Sequence, residues 1–263
     1  MISFNLLGKF GRLGNQMFQY AALSSIARER GYDFCIPPSS AQNLATDHQL
    51  LAAFKLPRLN CIGWHLNAPR LSETSFFYDP LFANSCKNHV DIGGYFQSEK
   101  YFAAYADQVR SDFTFHSAFH DEAVKNLQSI GGKAVSLHIR RGDYVNLQDK
   151  HPLCTLAYYE EALATVPDYL PILIFSDDIG WCRHQPLFQN RRFRFSEGRS
   201  NIMDLCLMSL CEHHIISNSS FSWWGAWLSV NPDKIVITPK NWFGPSYAHM
   251  DTRDLIPETW QTM

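Results

Sequence analysis

HIRRGDYV, His138 to Val145, sets an imidazole, two guanidiniums and a carboxylate within six residues. Such a cluster suits the holding of an anion. A planar guanidinium grips a phosphate or carboxylate through two parallel hydrogen bonds, which a lysine cannot do. In AVSLHIRRGD, strand alternation turns Val135, Leu137 and Ile139 one way and Ser136, His138 and Arg140 the other. Ligands of open α/β sheets bind outside the carboxyl ends of strands. His138 and Arg140 are therefore expected to project near a crevice, with Gly142 allowing a sharp turn. The structural alternative is a surface arginine pair with Asp143 as a local counter-ion.

Four other stretches carry chemistry. In NSSFSWWGAWLS, Ser219 and Ser220 stand where a helix N-cap belongs, and helix starts attract anions. Phe221, Trp224 and Leu228 share one helical stripe and Trp223 and Trp227 another. Those serines could equally cap a core helix whose tryptophans are packing. GKFGRLGNQ resembles a phosphate loop but has neither the GxxxxGK[ST] nor the GxGxxG spacing. Its Arg12 and Asn15 offer donors. Ser176, Asp177 and Asp178 follow the apolar run PILIF, where carboxylates can bind ribose hydroxyls or a metal. Adjacent aspartates diverge, however, and one can cap a following helix. Asp204 lies within the apolar NIMDLCLMSLC, where a carboxylate needs solvent, a partner or a ligand donor.

The elements that must position these groups alternate. A strand is expected at Ile2–Leu7, a helix at Gln16–Arg30 ended by Gly31, and a strand at Asp33–Ile36. Residues 40–125 show irregular polarity, with short helices expected near Gln42–Phe54 and Tyr101–Val109. Gly131-Gly132 is expected to separate two halves, 1–130 and 131–263. Beyond it the pattern sharpens. Strands are expected at Ala134–Arg140, Pro171–Phe175, His214–Ser217 and Lys234–Thr238, and helices at Leu156–Val166, Asn201–Glu212 and Phe221–Val230. The expected architecture is two α/β domains with doubly wound parallel sheets, meeting at a cleft.

The 263 residues suit two modest domains. A net charge of -2 excludes a bulk nucleic-acid binder, so any anion must be held by a local cluster. No run approaches ~18 apolar residues, and the N-terminus lacks the basic and apolar regions of a signal peptide. Seven cysteines, an odd number with no CxxC, are expected to be reduced thiols packed in a cytosolic protein. No spacing suits zinc, His213-His214 included.

GRLGNQMFQYAAL, HIRRGDYV, FSDD and CEHHIISNSSFSWWGAWL, in this order, resemble the bacterial α-1,2-fucosyltransferase family. The likeness is anchored in the first 30 residues and in roughly 135–240. It implies a two-domain glycosyltransferase fold of the B type (GT-B), with the nucleotide sugar held by the second half and most of the acceptor by the first. It implies transfer of L-fucose from GDP-fucose to the 2-hydroxyl of a β-galactoside, with inversion and without a required metal or other cofactor. Arg140 would bind the β-phosphate, with His138 beside the nucleotide. Ser219, Ser220 and Phe221 would hold the diphosphate and Asp204 the guanosine. Arg12, Gly14 and Asn15 match a loop that leans over the donor, and Asp177 would contact the substrate. Its partners would be GDP-fucose and a galactose-containing glycan, not nucleic acid. Its place would be the cytoplasm, with at most peripheral contact with the inner membrane face.

No general base transfers. Some relatives carry a glutamate shortly beyond the motif histidine, where this chain has Gln148 and Asp149. Asp143 is a candidate, and Asn15 could position groups in a loose transition state. Rival expectations are fucosyl transfer to another position, such as a 6-hydroxyl, and a non-catalytic sugar-binding protein stacking glycans on its seven tryptophans.

Overall fold

The computed structural model describes residues 1–39, 47–59, 61–62 and 66–263. They form two compact units. The first comprises Met1–His116 and Met250–Pro257, the second Ser117–His249 and Glu258–Met263. The division thus falls one helix before Gly131-Gly132. Helix α5 (Ser117–Ser129) packs on a helix of the second unit, while both glycines, with φ of 107° and 81°, form the turn that follows it.

In the first unit β1 (Ile2–Ser3) leads through a loop to α1 (Leu13–Arg30), then β2 (Phe34–Ile36), α2 (Leu50–Ala53), β3 (Cys61–Ile62), β4 (Arg70–Ser72), α3 (Phe82–Ser85), β5 (Val90–Gly93) and α4 (Ala106–Asp112). The parallel sheet has the order β3-β2-β1-β5-β4. Helix α1 ends on Gly31, in the left-handed region at φ 66°, where the missing Cβ removes the steric cost. Apart from Asn15, every residue of α1 from Leu13 to Ala27 is buried. Its two glutamines therefore need internal partners.

The expected strand Ile2–Leu7 stops at Ser3, because the Asn5 N–H donates to the buried carboxylate of Asp91 at 2.7 Å and leaves the ladder. The helix expected at Gln42–Phe54 is confined to Leu50–Ala53, and residues 42–46 lie outside the described ones. Tyr101–Val109 is two single 3-10 turns running into α4.

The second unit continues with β6 (Val135–Ile139), α6 (Leu156–Leu163), β7 (Ile172–Ser176), α7 (Ile179–Arg183), β8 (Phe193–Phe195), α8 (Asn201–Ser209), β9 (His213–Ile215), α9 (Ser220–Leu228), β10 (Val236–Thr238) and β11 (Gln261–Thr262). All its strands are parallel, in the order β11-β10-β9-β6-β7-β8. From β6 the chain winds outward to β8, then returns to β9 and winds the other way. The reversal lies between β6 and β9, where such sheets open a crevice. The core places Val135, Leu137 and Ile139 with Tyr159, Ile174 and Phe188. Trp223, Trp224 and Trp227 are all buried, so the core reading of these side chains holds. Helix α9 lies close against α8, since a Cβ on Gly225 would stand 2.9 Å from that of Met208.

Candidate active site

Arg140 emerges at the carboxyl end of β6, 17% exposed, between two carboxylates. One terminal nitrogen donates to Asp143 Oδ1 at 2.5 Å and the other lies 2.9 Å from Asp177 Oδ2. Its guanidinium carbon sits 5.2 Å from the ring centre of Tyr144. Gly142 is small for a reason: a Cβ there would collide with the Asp177 carboxylate. Arg141 turns away. It donates to Asp178 at 3.0 Å and stacks 3.9 Å over Trp181, while its backbone N–H reaches Asp177 at 2.8 Å. Asp178 also caps α7 by accepting the Trp181 N–H at 3.0 Å. The two aspartates therefore diverge, each committed to its own arginine.

His138 is not a cation. It is 5% exposed, and burial with Arg140 close by pushes its pKa down to about 3. Its Nδ1 shares a 2.9 Å hydrogen bond with the Ser217 hydroxyl beyond β9, and Phe221 lies 5.7 Å away, ring to ring. A matching bond of 2.8 Å joins Ser136 to His214 one step along the same seam. The two histidine–serine bonds stitch β6 to β9 where the crevice opens.

Ser219 is the N-cap of α9, extended at φ −139°, but its side chain makes no capping bond. Helix starts present N–H groups without partners inside the helix, together with the positive end of the dipole. Ser219 is buried, while Ser220 and Phe221 are partly exposed. Asp204 stands in the first turn of α8. It accepts from Ser196 at 2.6 Å, and Arg199 donates to the same serine at 3.0 Å. Burial raises its pKa to about 6, against the pull of that bond and of Arg199. Arg140, Asp143 and Asp177 are thus in direct contact, His138 meets Ser217 and Phe221, and Asp204 has a separate set of partners.

The first unit holds the remaining expected residues. Arg12 is the exposed N-cap of α1, Gly14 is buried in its first turn, and Asn15 accepts from Gln97 at 2.9 Å. Gly11, at φ 88°, leaves room for the Asn15 amide packed against it.

A family model described as glycosyl transferase family 11 matches residues 3–262. This chain belongs to glycosyltransferase family 11. It is 33% identical to an α-1,2-colitosyltransferase of Escherichia coli, over 95% of each chain. It is 28% identical to the bovine galactoside α-(1,2)-fucosyltransferase 1, over 83% of this chain and 64% of that protein. Its fold is that of the NodZ α-1,6-fucosyltransferase soaked with GDP-fucose: TM-score 0.56 at 11% identity, over 86% of this chain and 91% of that one. The architecture of this family 11 enzyme is therefore GT-B, as the sequence motifs implied. Among the described residues, no helix is long and apolar enough to cross a membrane.

Several residues that hold these loops in place escaped sequence reasoning. Gln16 donates to the Gly11 carbonyl at 3.2 Å, and Gln19 to those of Phe10 and Gly94 at 3.1 and 3.3 Å. They tie down the glycine loop ahead of α1. Two glutamines in an otherwise apolar helix were the available signal. In the second unit Asn218 stands just beyond β9, donating to the Pro152 and Trp242 carbonyls at 3.0 and 3.1 Å and accepting from Tyr144 at 3.2 Å through its own carbonyl. Nothing in its sequence neighbourhood announces that role, because its partners are remote in the chain.

Proposed function

We propose that this family 11 enzyme transfers L-fucose from GDP-fucose to the 2-hydroxyl of a terminal β-galactoside, with inversion at the anomeric carbon and no metal. The observation that carries this reading is Arg140, held by Asp143 and Asp177 at the crevice between β6 and β9, with the start of α9 following β9. Rupture of the sugar–phosphate bond builds charge on the β-phosphate. A fixed guanidinium and helix N–H groups stabilise that charge without having to reorganise. The sugar passes through an oxocarbenium-like state, as in other glycosyl transfers. Neutral His138 holds the β6–β9 seam rather than donating a proton. Asp143, paired with Arg140, orients the guanidinium and is available as a base only when that pair opens.

Metal independence is supported by Asp177 and Asp178, which are engaged by different arginines instead of converging on one point. Activity should persist in excess EDTA. Abolition by EDTA with restoration by Mn²⁺ would transfer the role to those aspartates. Of the tryptophans the sugar-binding alternative would stack on, Trp223, Trp224, Trp227, Trp242 and Trp260 are buried, Trp181 lies partly exposed under Arg141, and Trp64 falls outside the described residues.

A second donor has specific support in the likeness to a colitosyltransferase. Colitose is L-fucose without its 3-hydroxyl, so the same diphosphate grip serves both. The deciding experiment is incubation with lactose and either GDP-fucose or GDP-colitose, measuring released GDP and product linkage. A higher kcat/KM for GDP-colitose would replace the donor, and a linkage other than α-1,2 would replace the regiochemistry. The absence of turnover with both would remove the reading.

A further inference from the structure

The first unit has its own reversal of strand order, between β1 and β5. Two loops leave the carboxyl ends of those strands, ahead of α1 and at 94–97, and side chains of α1 tie them together. Gln19 donates to Phe10 of one and Gly94 of the other, and Gln97 donates to Asn15. Phe10, 40% exposed, stands 6.3 Å from Tyr95, ring centre to ring centre, and Phe76 stands 6.4 Å from the same ring. The crevice end thus carries aromatic faces beside a pair of carboxamides.

The turn that presents Tyr95 and Gln97 is strained. Phe96 has φ 51° and Gly94 φ 157°. A bulky residue in the left-handed region persists only when its surroundings impose it. Here the imposing group is Glu73, just past β4. Its Oε2 accepts the N–H groups of Tyr95 at 2.8 Å and Phe96 at 3.1 Å. Its side chain also fills the space a Cβ on Gly94 would need, at 2.6 Å. Its Oε1 is buried, and the Tyr101 hydroxyl is a further hydrogen-bonding neighbour of the carboxylate.

We propose that Phe10, Tyr95 and Phe76 form a stacking platform for an uncharged acceptor pyranoside, with the Asn15–Gln97 amides at its edge, and that Glu73 is the positioning residue that holds the platform in place. A pyranoside offers a C–H face to aromatic rings and hydroxyls that donate and accept, as carboxamides do. The site's place in the reaction rests on the glycosyl-transfer reading, but its chemistry does not.

Burial raises the Glu73 pKa to about 7, against the pull of the two N–H bonds and of the Tyr101 hydroxyl. Those bonds strengthen when it ionises. Its charged and titratable surroundings are Tyr101, whose pKa burial raises further from neutrality, Asp79 behind that hydroxyl, and Arg70, neutralised by Asp91. Acceptor binding should therefore tighten as pH rises through about 7.

The test is saturation-transfer NMR with methyl β-D-galactopyranoside, methyl β-D-glucopyranoside and lactose, alongside calorimetry with GDP. Phe10→Ala and Tyr95→Ala should weaken glycoside binding at least ~10-fold and leave GDP affinity unchanged. Glu73→Ala should share the loss. Glu73→Gln, whose amide oxygen can accept both N–H groups, should retain binding and show an acceptor KM flat between pH 6 and 8. If Phe10→Ala and Tyr95→Ala bind glycosides like wild type, or wild type binds none of the three, the platform is wrong. An acceptor KM in Glu73→Gln as pH-dependent as in wild type would overturn the role of Glu73. Glycoside binding without turnover of GDP-fucose would defeat the proposed reaction and leave this site standing.

Discussion

Arg140 sits between two carboxylates, so a diphosphate must compete for it. That competition sets the residue-level expectations. Arg140→Ala should lower kcat by roughly 10²–10³, the cost of losing one donor aimed at developing charge. Arg140→Lys should recover little, because an ammonium keeps the charge but loses the planar fork whose separate nitrogens reach Asp143 and Asp177. Wild-type kcat in a folded Arg140→Ala protein would remove Arg140 from the mechanism. Asp143, 43% exposed, is the more easily displaced partner. Asp143→Asn should tighten GDP binding by roughly tenfold or less, read by calorimetry, since one competing charge disappears. Weaker binding would mean that Asp143 mainly orients the guanidinium. The arginine was legible in the sequence because strand alternation fixes its face. Asp143 as its counter-ion was legible as well, but Asp177 was not, because it is brought to Arg140 by the pairing of β6 with β7.

The β6–β9 seam makes its own prediction. His138 and His214 are both buried and neutral, with pKa pushed down to about 3, chiefly by desolvation. In the unfolded chain they titrate near 6.5. Each therefore contributes stability that is full above pH ~6.5 and is lost as pH falls toward the folded value. At pH 5 the loss is on the order of 2 kcal/mol per histidine. Glu73 and Asp204, raised to about 7 and about 6, act in the opposite sense, losing stability as pH rises. Between pH 7.5 and pH 5 the two senses largely offset, so the seam is read by substitution: in urea melts His214→Gln should lose less stability on acidification than wild type, because one histidine no longer gains a proton on unfolding. Equal stability changes on acidification in wild type and His214→Gln would contradict this account. Legibility at this scale followed strand length. Val135–Ile139 and Ile172–Ser176 are five-residue strands of mainly apolar residues, and the second unit could be read from them. In the first unit β1 and β3 have two residues each, too few for any period to show. Its loops are instead set by Gln16, Gln19, Glu73 and Asp91 reaching distant backbone, a pattern without a local sequence signature.

At the scale of the molecule, two compact units need not melt together. If the crevice of the second unit holds the nucleotide, GDP at about a hundredfold excess over Kd stabilises that unit by about 2.7 kcal/mol. Calorimetry should then show one transition rising by several degrees. Hydrogen exchange should slow around Arg140–Asp143 and Ser217–Phe221, while α1 is unaffected. Protection confined to the first unit would reverse the assignment of donor and acceptor. The C-terminal stretch bears on how such an enzyme can be inherited or rebuilt. Asp254 receives Lys100 at 2.6 Å and the Tyr78 N–H at 3.1 Å, so Met250–Pro257 is part of the first unit. Six residues later the chain has rejoined the second, where β11 pairs with β10 and Trp260 packs on Trp223. Neither unit is one uninterrupted stretch of coding sequence. A single crossover at 116/117 between two such genes would give the hybrid's first unit a closing segment from the wrong parent. Chimeras that exchange the first unit whole must carry residues 250–257 along with 1–116. Recombination at one breakpoint is thereby discouraged, and the two units are bound to vary together.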